Sequence, residues 1–146
     1  MYKHILLPID GSAFGQGSVA YAVRLAKSLG ATLSVIHVTA PYRDIAIGEV
    51  ASLLPESDYK ARTNAFATGV LEKTKQAAAT AGLAISVQTV SHTHPWEAII
   101  QAADAQGVDL IVMASHGRRG LESLLIGSET KKVLTHSKIP VLVWRA

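Results

Sequence analysis

The sequence has no cysteine, few aromatic residues and no long apolar run. Without cysteine there can be no disulfide framework, thiol chemistry or thiolate metal site. No stretch approaches the roughly 18 consecutive apolar residues of a membrane-spanning helix. The short apolar run at the start, which Asp10 ends, is unlike a secretory signal. We therefore expect a cytoplasmic protein without a membrane segment.

Charge is also sparse, at 17% of residues, and the formal net charge is +3. The basic residues are scattered, apart from Arg118–Arg119 and Lys131–Lys132. A nucleic-acid-binding protein usually clusters its basic residues on one face, so no nucleic-acid partner is expected. The slight positive excess favours an anionic ligand only weakly.

The 146 residues, 49% of them apolar, fit a single domain over residues 1–146. Strand and helix patterns alternate along the chain. Strands are predicted at 4–9, 32–38, 84–91, 108–113 and 140–144, and helices at 12–29, 58–81, from 95, and 128–136. Such alternation requires crossover connections and a mostly parallel sheet with helices on both faces. We expect an α/β doubly wound open sheet of five parallel strands, order 3-2-1-4-5, with four helices, and a long connection over 40–57 that contains one helical turn.

In such a sheet, ligands bind at the carboxyl ends of the strands where the strand order reverses, here between strands 1 and 4. The segments that leave those strands are 8–12 and 114–120, and both interrupt the packing pattern. The second segment is rich in glycine and leads to Gly127 and Ser128 at a predicted helix start. Glycine amides and a helix N-terminus can hold phosphate, although this is not a Walker A sequence. The alternative is an ordinary turn in which Ser128 caps the helix.

Asp10 ends an apolar strand, where a carboxylate is costly to bury unless a partner satisfies it. It could accept a hydrogen bond from a ribose hydroxyl, as acidic residues do in dinucleotide-binding folds. It could equally cap the helix that begins near Ser12. Both interpretations remain open from the sequence.

These segments resemble a known family. Residues 8–12, Pro-Ile-Asp-Gly-Ser, resemble the opening of the universal stress proteins, and residues 113–128 resemble their nucleotide motif, G-x2-G-x9-G-[ST]. The closing Pro140–Val143 resembles their last strand. The resemblance extends over essentially the whole chain and implies the fold of the adenine nucleotide alpha hydrolases.

The resemblance also implies an ATP site, with Mg²⁺ as an accompanying ion. Asp10 would lie near the adenosine, Val38 would pack on adenine, and Gly117, Gly127 and Ser128 would contact the triphosphate and ribose. The full set of candidate nucleotide-binding residues is Pro8, Ile9, Asp10, Val38, Met113, Ala114, His116, Gly117, Arg118, Arg119, Gly120, Gly127, Ser128 and Glu129.

Two positions depart from the family motif. Ala114 occupies the place of its first glycine, and its methyl group is tolerated only where the backbone is not at positive φ. Glu129 places an anion next to the expected phosphates. It could help to hold Mg²⁺, favour the helix N-terminus or repel the triphosphate, and Arg118 and Arg119 could offset it.

Neither a catalytic nor a metal-binding constellation is predicted. His92 and His94 lack an evident third ligand, and no nucleophile elbow or paired carboxylates are present. The predicted function is a dimeric, ATP-binding module for regulation or stress response. The alternatives are a slow ATPase or phosphate-transfer enzyme, and a dimeric interaction module that binds no nucleotide.

The family resemblance further implies a homodimer through Val141–Trp144, in which two copies of the last strand pair across a two-fold axis. An apolar terminal strand would otherwise leave an exposed sheet edge. The alternative is an edge that a helix covers.

Overall fold

A computed structural model of the protein describes residues 1–116 and 126–145, without the side chains of Ala13 and Phe14. Its strands are β1 (His4–Ile9), β2 (Thr32–Thr39), β3 (Ser86–Ser91), β4 (Leu110–Ala114) and β5 (Val141–Trp144). Its helices are α1 (Ala13–Leu29), α2 (Tyr42–Ile45), α3 (Glu49–Leu53), α4 (Glu56–Thr80), α5 (Pro95–Ala105) and α6 (Ser128–His136).

The five strands form one parallel sheet in the order β3-β2-β1-β4-β5, which confirms the predicted fold class. Each face of the sheet carries its own buried cluster. On one face Leu7 and Val35 pack with Val23 of α1 and Leu71 of α4. On the other face, the α5 and α6 side, the buried residues are Leu6, Ile36, Ile99, Ala103, Val108, Ile111, Met113 and Val133. Helices therefore cover both faces, as alternating strands and helices require.

The predicted number of helices was wrong, because the described residues contain six rather than four. The two additional helices, α2 and α3, lie in the connection that the sequence predicted to have one helical turn. They have no buried residues, so no apolar periodicity marks them. Hydrogen bonds from tyrosines hold this segment instead. The Tyr42 hydroxyl donates to the Leu54 carbonyl at 2.7 Å, and the Tyr59 hydroxyl donates to the Ala40 carbonyl at 2.5 Å.

The last strand forms an edge of the sheet, and in the described part of the chain no other strand pairs with its outer side. Its Trp144 is half-buried and lies against Gly17 of α1. A Cβ atom added at Gly17 would overlap the indole ring, so the close approach requires glycine. Helix α1 therefore covers the Trp144 side chain, while among residues 1–116 and 126–145 no strand covers the outer backbone edge of β5.

A network of polar side chains joins the strands near their amino-terminal ends. His4 Nε2 lies 2.7 Å from Ser34 Oγ, which lies 2.8 Å from Ser86 Oγ. His4 Nδ1 donates to the Gln106 carbonyl at 3.1 Å. This chain of hydrogen bonds links β3, β2 and β1 to the segment before β4. No described helix is both long and apolar enough to cross a membrane.

Candidate functional site

The carboxyl ends of β1 and β4 lie side by side, because these strands pair directly in the sheet. Strand β1 ends at Ile9 and β4 ends at Ala114. The two predicted segments therefore leave neighbouring strands at one edge, where the strand order reverses. This is the position at which open parallel sheets bind ligands.

At the end of β1 the chain makes a tight turn through Asp10, Gly11 and Ser12. Asp10 Oδ1 accepts a hydrogen bond from the Ser12 N–H at 2.9 Å, and Ser12 Oγ accepts one from the Gly15 N–H at 3.3 Å. Ser12, rather than Asp10, is therefore the N-cap of α1. Asp10 stabilises the turn that leads to this cap, and it stays half-buried at the edge.

Gly11 is fixed by its surroundings as well as by its backbone angle. Its φ of 79° lies in the left-handed region that favours glycine. An added Cβ would lie 2.7 Å from Phe66 Cζ and 2.9 Å from Val70 Cγ2. Helix α4 thus packs directly over this turn, so a larger residue at position 11 would displace the helix.

Helix α6 begins beside the end of β4 and is held there by hydrogen bonds. The Gly127 N–H donates to the Ser115 carbonyl at 2.7 Å, and Thr130 Oγ1 donates to the Ala114 carbonyl at 2.9 Å. The first N–H groups of a helix have no acceptor within that helix, and they carry a partial positive charge. Gly127 and Ser128 therefore lie where an anionic group at this edge would meet them.

Ala114 is the last residue of β4 and has extended backbone. The requirement for glycine at this motif position does not apply to extended backbone, which all residues adopt. The methyl group of Ala114 is therefore compatible with the local conformation.

Glu129 is occupied by protein partners. Its Oε2 accepts a hydrogen bond from the Trp96 N–H at 2.9 Å, and its Oε1 lies 3.1 Å from Lys132 Nζ. The Trp96 N–H is one of the first N–H groups of α5, so Glu129 connects the start of α6 to the start of α5. The Trp96 ring in turn packs against the His136 ring, with 4.4 Å between centroids.

His116 follows β4 and has one ring nitrogen without a partner. Its Nδ1 lies 3.0 Å from Ser115 Oγ, whereas its Nε2 is buried and has no hydrogen-bond partner in the described structure. Buried polar atoms are nearly always paired with protein, water or a ligand. His116 Nε2 therefore marks a place at this edge where a polar ligand atom would be stabilised.

The apolar candidates do not all lie on one face. Val38 and Met113 pack in the cluster on the α5 side, and Ile9 packs in the cluster on the α1 side. Pro8 is half-buried within β1, opposite Ile36 of β2. Val38 and Met113 could therefore contact one planar group together, whereas Ile9 supports the turn from the other side.

Gly117, Arg118, Arg119 and Gly120 lie outside the described residues. Their expected role in holding phosphate stays a prediction from the sequence.

Sequence reasoning missed two aromatic residues at this edge. His37 of β2 is only 3% exposed and donates from Nδ1 to the Ile9 carbonyl at 2.9 Å. Its ring lies 5.8 Å from that of Phe66, which covers Gly11. A histidine within the apolar stretch Val35–Val38 was the available signal, because a buried imidazole needs a hydrogen-bond partner.

The histidines after β3 bind each other and their neighbours. His92 Nδ1 accepts the His94 N–H at 2.9 Å, and His92 Nε2 lies 3.9 Å from Glu97 Oε2. Residues 1–116 and 126–145 contain no group of three histidine or acidic side chains that could hold a metal ion.

Comparison with known proteins gives one consistent result. The sequence profile of the universal stress protein family matches residues 1–145. A universal stress protein of Thermus aquaticus is 35% identical, and the alignment covers 99% of this chain and 100% of that protein.

Two solved structures extend the comparison to the fold. Protein MJ0577 of Methanocaldococcus jannaschii superposes with a TM-score of 0.83 at 29% identity, over 100% of this chain and 97% of the other. A universal stress protein in complex with cAMP superposes with a TM-score of 0.73 at 26% identity, over 98% of this chain and 97% of the other.

Proposed function

We infer that this chain, which belongs to the universal stress protein family, binds an adenine nucleotide at the carboxyl ends of β1 and β4. The observation that carries the proposal is the position of α6. Hydrogen bonds from Gly127 and Thr130 fix its N-terminus at the end of β4, the strand that pairs with β1 and its Asp10 turn. His116, whose Nε2 has no partner in the described structure, follows the same strand. The related protein solved with cAMP supports the same ligand class.

The nucleotide we propose is ATP. The N–H groups at the start of α6 and the Ser128 hydroxyl would hold phosphate, together with the 117–120 segment. Val38 and Met113, which share one face, would contact the base. The Asp10 carboxylate would accept a hydrogen bond from the ribose. Bound Mg²⁺ would neutralise part of the phosphate charge. Both carboxylate oxygens of Glu129 already have protein partners, Trp96 N–H and Lys132 Nζ.

The proposed role is regulatory, in a single domain spanning residues 1–146. Nucleotide binding would change the surface that a partner protein meets at this edge. The cytoplasmic location expected from the sequence stays a prediction.

Calorimetry with ATP and Mg²⁺ tests the proposal, with Asp10→Ala as the site variant and Asp58→Asn on α4 as an acidic control. Loss of a hydrogen bond to a charged group costs about 1.5–3 kcal/mol, so Asp10→Ala should weaken binding roughly 10- to 150-fold. The control should bind as the wild type does. No heat and no thermal shift at millimolar ATP would defeat the proposal.

We also propose a homodimer formed through β5. The Pro140 carbonyl accepts from the Ile111 N–H of β4, and the Trp144 carbonyl accepts from the Ser115 N–H that follows β4. The intervening Val141 and Val143 therefore direct their N–H groups to the outer edge of the sheet. Val143→Pro removes one outward donor while leaving the ladder to β4 intact. Light scattering should then show a monomer, whereas Val143→Thr should remain dimeric. A monomeric wild type, or a dimeric Val143→Pro variant, would contradict this interface.

A further inference from the structure

A groove between α1 and α4 opens a cavity of about 310 Å³ on the sheet face opposite α5. Cavities of this size are at the lower end of the range for small-molecule sites. The lining residues are Ile9, Gly11, Ser12, Gly15, Gln16, Val19, Val70, Lys73, Thr74 and Ala77.

Several residues that line the cavity have small side chains, among them Gly15 on α1 and Ala77 on α4. Gly15 has no side chain, and a Cβ added there would meet only Ser12 Oγ at 3.7 Å and Asp10 Oδ1 at 3.8 Å, which are ordinary contacts. Ala77 on α4 contributes only a methyl group to the facing wall.

The walls combine apolar side chains with one charged group. Ile9, Val19 and Val70 supply apolar surface, and the Thr74 hydroxyl is already bonded to the Val70 carbonyl at 2.8 Å. Lys73 is the one charged residue in the lining, and in the part of the chain that the structure describes it forms no ion pair.

We propose that this cavity binds a small amphipathic carboxylate, with its acyl chain between α1 and α4 and its anionic group paired with Lys73. At about 30 Å³ per non-hydrogen atom, the volume holds roughly ten such atoms, which corresponds to an eight-carbon fatty acid. A two-chain lipid would not fit. The lining contains neither Val38 nor Met113 nor the start of α6, and it shares only Ile9 with the candidate nucleotide-binding residues. The cavity therefore adjoins the nucleotide edge on the α1 and α4 side of the sheet, and the proposal does not depend on nucleotide binding.

Calorimetric titration of the intact protein with sodium octanoate tests the proposal. Octanoate should bind, and hexanoate should bind about 16-fold more weakly, since each buried methylene contributes roughly a factor of four. Octylamine, which has the same chain and the opposite charge, should bind at least two- to fivefold more weakly, because it cannot form the ion pair with Lys73. This comparison needs no variant and therefore does not depend on any variant folding.

Two pairs of variants locate the site. Lys73→Met should weaken octanoate binding about two- to fivefold, as expected for one exposed ion pair, whereas Lys75→Met, whose lysine pairs with Glu72 at 3.6 Å, should not. Ala77→Phe should fill the cavity and abolish binding. Ala79→Phe, at an exposed position outside the lining, should leave it unchanged.

Four results would overturn the proposal. Octanoate and octylamine could bind equally, or the octanoate affinity could be unchanged in both Lys73→Met and Ala77→Phe. ATP could displace octanoate competitively, which would place the probe at the nucleotide edge. Binding to phosphatidylglycerol vesicles without binding of free octanoate would likewise exclude a soluble carboxylate as the ligand.

Discussion

Glu129 offers the sharpest test of how the site is held together. Its side chain is 36% exposed and joins α6 to α5 through the hydrogen bond to the Trp96 N–H. Glu129→Ala removes this acceptor, so the Trp96 N–H at the start of α5 loses its hydrogen bond to the Glu129 carboxylate. Hydrogen bonds to charged groups contribute about 1.5–3 kcal/mol, and partial exposure favours the lower end of that range.

Glu129→Gln separates the hydrogen bond from the charge. The amide oxygen can still accept from the Trp96 N–H, so only the interaction of the carboxylate with the helix N-termini and with Lys132 is lost. That loss should cost about 0.3–1 kcal/mol. Glu56→Gln is the matched control, because Glu56 also lies in the first turn of a helix and pairs with a lysine, Lys60 at 2.8 Å, but connects no second helix.

The same pair of variants reports on nucleotide binding. A carboxylate in the first turn of α6 opposes a nearby polyanion by about 1 kcal/mol in water, so Glu129→Gln should tighten ATP binding roughly fivefold at low salt. The gain should shrink as ionic strength rises. Glu129→Ala should combine the same loss of charge with a less firmly held helix, so its gain should be smaller.

Urea unfolding followed by circular dichroism gives the stabilities, and calorimetry gives the affinities. The expected order of stability is wild type, then Glu129→Gln, then Glu129→Ala, with Glu56→Gln close to wild type. If Glu129→Ala unfolds at the wild-type urea midpoint, or if Glu129→Gln is as unstable as Glu129→Ala, the hydrogen bond from the Trp96 N–H does not join the two helices as described.

Three further predictions concern stability. Partial burial would raise the pKa of Asp109, but hydrogen bonds from the backbone N–H groups of His4, Lys3 and Asp109 itself, with the nearby His4 charge, lower it below its ordinary value. The stability that Asp109 contributes is present above the unfolded pKa of about 3.9 and is lost as the pH falls through the folded pKa. The difference in urea midpoint between wild type and Asp109→Asn should therefore disappear on acidification, and it should persist when the pH is raised. Gly17→Val should displace the Trp144 ring, and this should lower the thermal unfolding midpoint and change the near-UV circular dichroism spectrum. An unchanged near-UV spectrum would contradict this prediction. Ser34→Ala should cost about 1–3 kcal/mol in urea unfolding, because His4 Nε2 loses its partner, and a cost equal to that of exposed-serine replacements would count against the network.

The sheet order and most element ends could be predicted because the signals are local. The helix predicted over 12–29 is α1 at Ala13–Leu29, and the helix predicted from residue 95 is α5, which begins at Pro95. Alternating apolar runs then leave few ways to build a parallel sheet. The helices α2 and α3 escaped prediction because they are short and are held by hydrogen bonds from Tyr42 and Tyr59 rather than by an apolar face.

The location of the candidate site followed from topology, but its hydrogen bonds did not. Glu129 and Trp96 are 33 residues apart, and nothing in either local sequence indicates that they meet. The interpretation of Asp10 as the N-cap failed for a geometric reason, since the chain needs the turn at Gly11 before α1 begins and only Ser12 is then in position. Which residue caps a helix depends on the exact path of the backbone, and the sequence allowed either.

The electrostatics of this edge differ from what its formal charges suggest. Asp10 accepts from the Ser12 N–H, and Glu129 accepts from the Trp96 N–H, so backbone donors and Lys132 already compensate the carboxylates that the described residues contribute here. The Nε2 of His116 has no hydrogen-bond partner in the described structure. A polyanion that approaches this edge therefore meets the N-terminus of α6, which the carbonyls of Ser115 and Ala114 hold in place, and its favourable interaction with that terminus offsets the repulsion from Glu129.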